Sequence, residues 1–179
     1  MNAKSSSQLV YGNYCRKSTE SEDRQMLSID SQIDEGKKLA DGLGIKIAPD
    51  HLLTESKSAK VAYKRPLFEV MLKMIESGEI NAIIAWHPDR LSRNSIDAAR
   101  LIEQMDKGKL IEIVTPGQTF KNTPFDKFMF MLQCSQAKME NDKKGVDVKR
   151  GLHKKASLGM YPAPAPIGYK NDKYAEKGN

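Results

Sequence analysis

A chain of 179 residues with 39% hydrophobic and 29% charged side chains has the make-up of one globular domain with a full core, leaving room for a tail or the start of a second unit. No apolar run approaches the length of a membrane span, and the polar stretch from Met1 to Ser7 lacks the apolar core of a secretory signal, so no membrane partner and a cytoplasmic location are expected. The net charge is +6; residues 1–120 balance to zero, which places the whole excess in residues 121–179.

Leu9 to Cys15 reads as a first strand, and Arg16 and Ser18 follow where it stops. A cation and a hydroxyl side by side at the mouth of a sheet suit attack on a phosphate, although a serine there also fits a helix cap beside a solvated arginine. Ile29 to Leu43 reads as a helix ended by Gly44, and Ile45 to Leu53 as a second strand or a broken pair interrupted near Pro49. Pro66 opens a helix whose apolar face is Leu67, Val70, Met71, Met74 and Ile75, and Gly78 closes it. Asn81 to Trp86 is a buried strand, Ser95 to Lys107 a helix and Leu110 to Val114 another strand. Strands alternating with helices predict an α/β fold with a mostly parallel central sheet flanked by helices.

From about Phe125 an apolar pattern runs through Phe128, Met129, Met131, Leu132 and Met139, then continues as a basic helix to about Ser157. The expectation is a long C-terminal helix that projects from the domain, its methionines suited to core or to an oligomer interface. Lys143, Lys144, Lys149, Arg150, Lys154 and Lys155 make its second half a candidate surface for a polyanion, above all nucleic acid. A solvated face is the plainer use of such a run. Gly159, Pro162, Pro164 and Pro166 then lead into an extended linker. The pattern divides the chain into an α/β core over 1–124, a long helix over 125–158 and a linker segment over 159–179. Cys15 and Cys134 match no zinc or redox spacing, so no metal site is expected; there is no phosphate loop or dinucleotide fingerprint, so no cofactor is expected either.

In a parallel sheet, functional groups gather beyond the carboxyl ends of the strands. Those ends carry Arg16 and Ser18, then Thr54, Glu55 and Ser58 with Arg65 downstream, then Asp89-Arg90-Leu91-Ser92-Arg93. Phosphoryl transfer asks a protein mainly for positioning and charge, and arginine forks supply charge to nonbridging oxygens at any working pH. Singly, each residue has a plainer use: Asp89 in a surface pair, Glu55 as a capping acid, Arg65 as a solvated residue before a helix.

Tyr14-Cys15-Arg16-Lys17-Ser18-Thr19, Ser28 to Gln32 and Asp89-Arg90-Leu91-Ser92-Arg93 together resemble the catalytic domain of the serine recombinases, the resolvase and invertase family, most of all its large members from mobile elements, over about residues 8–169. The resemblance implies a resolvase-like fold and attack by Ser18 on the DNA backbone, giving a phosphoserine linkage that conserves bond energy without ATP. It implies that Arg16, Arg65, Arg90 and Arg93 hold the scissile phosphate while Gln32, Glu55, Ser58 and Asp89 organise the site. It implies double-stranded DNA as partner, a homodimer, and a tetramer in the synaptic complex. Lys17 stands where relatives often carry an apolar residue, the stretch from Ser18 to Gln32 is longer than in small resolvases, and Asn141 stands where many carry arginine after the glutamate, here Glu140. Ala163 to Tyr169 resembles the junction into the DNA-binding domains of large members, so the resemblance implies a catalytic core over 1–124, a helix for dimerisation and DNA contact over 125–158, and a linker with the start of a truncated DNA-binding domain over 159–179. The competing readings are a noncatalytic DNA-binding or regulatory relative of the same fold, and a nucleotide- or metal-dependent phosphohydrolase.

Overall fold

The computed structural model describes residues 8–16, 29–55, 63–163 and 168. Ser18, Ser28, Ser58 and the stretch 164–167 lie outside them. In chain order the elements are β1 (Tyr11–Arg16), α1 (Ile29–Gly42), a 3-10 turn (Pro49–His51), β2 (Leu52–Glu55), α2 (Pro66–Ser77), β3 (Ala82–Ala85), α3 (Pro88–Leu91), α4 (Ser95–Asp106), β4 (Glu112–Val114), β5 (Thr119–Lys121) and α5 (Pro124–Ser157). The sheet order is β2-β1-β3-β4-β5, parallel except for β5, which pairs antiparallel with β4.

β3 shows why the sheet is covered on both faces. Its four residues Ala82, Ile83, Ile84 and Ala85 are all fully buried, and the two-residue period of a strand sends Ile83 and Ala85 to one side and Ala82 and Ile84 to the other. The larger core, on the first side, gathers Phe68, Met71 and Ile75 of α2, Leu101 and Met105 of α4, and Phe130 of α5, whose ring meets Phe120 edge-on at 5.5 Å between centroids. The smaller one joins Tyr11, Ala82, Ile84 and Val114 to Ala40 of α1. Here α1 approaches closely: any side chain larger than hydrogen at Gly36 would collide with the Asn13 amide.

Pro66 and Gly78 bound α2 as their chemistry requires. Proline occupies the first turn, and Gly78, at φ 81°, closes the helix by donating its N–H to the carbonyls of Met74 and Ile75. Three expectations need correcting. The stretch 45–53 forms one short strand starting at Leu52, because Pro49 opens a 3-10 turn. Val70 points outward at 41% exposure, and Phe68 and Leu72 complete the buried face of α2 in its place. The edge strand β5 and the one-turn helix α3 stand where no element was expected.

α5 runs for 34 residues, about 51 Å at the usual rise. The chain divides into two compact units, Met1–Lys138 and Met139–Asn179, and α5 contributes to both. In the first unit it buries Phe130 and Cys134, and the Cys134 thiol lies 4.0 Å from the Pro88 carbonyl beyond the carboxyl end of β3. In the second, every side chain described from Met139 to Gly159 is exposed. No described helix is long and apolar enough to cross a membrane.

Candidate active site at the carboxyl ends of the strands

In the order β2-β1-β3-β4, the chain moves outward from β1 to β2 and then returns past β1 to β3, so the carboxyl ends of β1 and β3 flank the crevice where open α/β sheets bind ligands. Arg16 is the last residue of β1, and Arg90 and Arg93 follow β3 on α3 and the loop after it. With Arg65, just before α2, they form a set of four guanidinium groups exposed by only 0%, 3%, 7% and 1% for Arg16, Arg90, Arg93 and Arg65. Buried charges survive only where partners offset their lost hydration, so their contacts define the site.

Arg16 donates from Nε to the Arg90 carbonyl and from Nη2 to the Asp89 carbonyl, both at 3.2 Å, which ties the end of β1 to α3. Burial, and then repulsion from Arg93 and Arg90, pull its pKa down to about 10, still leaving it charged at neutral pH. Gln32 of α1 accepts from the Arg16 N–H at 3.2 Å and donates to the Arg16 carbonyl at 3.0 Å, continuing the strand's pairing with a side chain. Glu55 ends β2 and accepts from the Leu67 N–H at 3.0 Å in the first turn of α2, so it does act as a capping acid.

Asp89 is the centre of the β3 group. Its carboxylate accepts from Arg93 Nη2 at 2.9 Å, lies 3.1 Å from His87 Nδ1 and 3.5 Å from Arg90 Nε. Burial alone would raise its pKa; the His87 hydrogen bond and the charges of Arg90 and Arg93 outweigh that and hold it well below the usual carboxylate range. Asp89 is therefore ionised at neutral pH. Arg90 is the least satisfied cation, since its Nε and Nη1 have no hydrogen-bond partner among the described residues.

Arg65 is turned inward. It donates to Asp97 Oδ2 at 2.7 Å, to the Tyr14 hydroxyl at 3.2 Å and to the Arg90 carbonyl at 3.5 Å, and it stacks 3.8 Å over the Phe68 ring. The sequence reading missed Tyr14, His87 and Asp97 as members of this network. Asn94 to Asp97 does carry a signal, the spacing of a capping box at the start of α4. Ser18 and Ser58, the expected nucleophile and its companion, fall outside the described residues. Lys143, Lys144, Lys149, Arg150, Lys154 and Lys155 are all exposed on α5, in the second unit. One group of metal-binding side chains comes together among the described residues, Asp50, His51 and Glu79, with ligand atoms within 4.8 Å of one another; it precedes β2 and β3, at the opposite end of these strands from the arginines.

A known structure shares this architecture. The N-terminal catalytic domain of TP901-1 integrase superposes with a TM-score of 0.56 at 19% identity, over 75% of this chain and 98% of that one, which establishes a common fold. The C-terminal catalytic domain of ISC1926 TnpA, an IS607-like serine recombinase, matches at TM-score 0.48 and 18% identity over 60% of this chain and 69% of that one. A serine recombinase from Sulfolobus solfataricus matches at TM-score 0.45 and 19% identity over 86% and 89%. The family model for the resolvase N-terminal domain spans residues 12–161, from the second residue of β1 to just past α5. The chain thus belongs to the resolvase family of serine recombinases.

Proposed function

We propose that this protein is a site-specific DNA recombinase of a mobile element, which cleaves and rejoins double-stranded DNA through a covalent phosphoserine at Ser18 without metal or ATP. The observation that carries the reading is Arg90: a guanidinium 3% exposed, with two donor nitrogens lacking hydrogen-bond partners among the described residues, in the crevice between β1 and β3. Such donors want an anion with several oxygens, and a DNA phosphate offers one.

In the cleavage step the Ser18 hydroxyl oxygen attacks phosphorus, its proton passing to a base or water. An oxygen–phosphorus bond forms, the bond from phosphorus to one sugar oxygen breaks, and that oxygen takes up a proton as it leaves. Rejoining is the same step reversed with a new sugar hydroxyl. Arg16, Arg90 and Arg93 supply the positive charge that the transition state needs. An ionised Asp89 has no proton to give the leaving oxygen, and its contacts with Arg93 at 2.9 Å and Arg90 at 3.5 Å give it the part of aiming those two arginines.

For assembly, Phe125, Phe128 and Leu132 of the first unit are exposed and spaced three and four residues apart, the spacing of an apolar face on a helix that pairs with another. That face supports a homodimer through α5; the tetramer during synapsis follows from the resemblance to the family alone. The exposed cations of α5 would meet phosphates.

The test is covalent capture. Genomic DNA fragments from the source of this sequence are incubated with the protein in EDTA, and protein–DNA adducts surviving denaturation are recovered and sequenced. Adducts enriched at one site with wild type, and absent with Ser18→Ala although DNA binding persists, are expected. Specific binding with no adduct would favour a noncatalytic DNA-binding protein. Adducts that appear only when divalent metal is restored would overturn the metal-free mechanism.

A further inference from the structure

We infer that Asp97 is a positioning residue for this active site, acting through Arg65 on the backbone that presents Arg90 and Arg93. The inference rests on the recombinase reading for its reaction but stands on its own geometry. Asp97 is fully buried at the start of α4. A buried carboxylate without partners would be costly, and Asp97 is held from three directions. Its N–H donates to Asn94 Oδ1 at 2.8 Å, its Oδ2 accepts from Asn94 Nδ2 at 2.8 Å, and the same oxygen accepts from Arg65 Nη2 at 2.7 Å. Its other oxygen lies 3.6 Å from Arg100 Nη1, and Arg100 is engaged by Glu69 in a two-pronged pair at 2.6 Å.

The chain of contacts continues toward the crevice. Arg65 reaches the Arg90 carbonyl at 3.5 Å, and Arg16 reaches the same carbonyl at 3.2 Å. One peptide oxygen is thereby gripped by two cations, one fixed by a strand end and the other by Asp97. Ser92 locks the following turn, donating from Oγ to the Asn94 carbonyl at 2.5 Å and accepting from the Asn94 N–H at 3.2 Å. The turn from Asp89 to Asn94 is therefore anchored at both ends, and its later anchor, Asn94, is also the partner of Asp97. Removing the Asp97 charge would leave Arg65 buried with its strongest contact gone. The Arg90 carbonyl would then lose one of its two holds, and the guanidinium of Arg90 would no longer be aimed.

The decisive experiment compares wild type, Asp97→Asn and the paired variant Asp97→Leu/Arg65→Met, using the DNA fragment recovered by covalent capture. Adduct formation is measured at saturating DNA, well below each protein's melting temperature, beside DNA affinity and thermal stability. Asp97→Asn is expected to bind DNA within twofold of wild type and to form adduct 10- to 100-fold more slowly. The paired variant, which removes both charges together, is expected to melt near the wild-type temperature and to remain slow. An adduct rate within threefold of wild type in either variant would overturn the assignment. Nitrogen-15 spectra of the arginine side chains give a readout independent of catalysis: the Nε–H signals of Arg90 and Arg16 are expected to shift in Asp97→Asn, and unmoved signals would overturn it as well. A wild-type protein that makes no adduct would defeat the recombinase reading, and the spectra would still decide the positioning role.

Discussion

The arginines at the carboxyl end of the sheet and the cations of α5 are chemically alike but opposite in circumstance. Arg16, Arg65, Arg90 and Arg93 are buried and held by carbonyls and carboxylates, whereas Lys149, Arg150, Lys154 and Lys155 stand exposed on one long helix. A buried guanidinium has given up its hydration and its freedom in advance, so it can act on one phosphate in one geometry. An exposed lysine keeps both, is screened within about 8–10 Å at ordinary ionic strength, and attracts any phosphate without distinguishing among them. The first region is therefore suited to chemistry and the second to affinity.

The sharpest way to break this division is to remove one buried cation. Arg16→Ala is expected to slow adduct formation by about 10²–10³-fold at saturating DNA, the usual consequence of deleting a transition-state donor. It should also lower stability by about 1–3 kcal/mol, because the Asp89 carbonyl loses its Arg16 donor and the Arg90 carbonyl loses one of its two. A loss of affinity with an unchanged rate would place Arg16 with the exposed group.

The converse variant, alanine at Lys149, Arg150, Lys154 and Lys155 together, is expected to leave the rate from the bound complex near wild type. It should reduce the slope of log affinity against log salt by up to about 3.6, if all four meet phosphates. An unchanged slope would move the DNA path away from α5.

Acid provides a gentler probe. The folded pKa of Asp89 is depressed, so its contribution to stability is complete above its unfolded value, about 3.9, and is lost as pH falls through the lower folded value. Below about pH 4 the melting temperature of wild type should therefore fall more steeply than that of Asp89→Asn. Parallel curves would mean that Asp89 is not held by its arginines. Exposed pairs such as Arg150 with Asp147, 3.5 Å apart, should add little to this profile.

The smallest effect concerns the thiols. Burial pushes both Cys15 and Cys134 up to about 12, so neither should react with iodoacetamide in the native protein at pH 8, as mass spectrometry would show. Modification of Cys15 would mean that β1, which carries Arg16, opens more readily than its full burial implies.

Much of this arrangement is legible in the sequence because it depends on local chemistry. Pro66 and Gly78 mark the ends of α2, and Arg16, Arg90 and Arg93 can be placed once the strands before them are recognised. What escapes is fixed by long-range contact. Asp97 reads as one more acid in the first turn of a helix until Arg65, 32 residues earlier, is folded against it. Thr119 to Lys121 is too short to alternate visibly and becomes a strand only because β4 offers an edge. Val70 continues the apolar period of α2 yet faces outward, since Phe68 and Leu72 fill the space above the sheet.

The short reversed strand β5 decides at which pole of the sheet α5 begins. A parallel fifth strand would have needed a long crossover and would have delivered the chain to the carboxyl pole of the sheet; β5 instead turns it back, so that α5 begins at the amino pole. Within the first unit α5 then climbs the height of the core and reaches the level of Pro88 by Cys134. On that climb Phe130 and Cys134 enter the larger core, so the three residues of β5 set the polarity with which α5 passes, within this unit, from the amino pole toward the arginines.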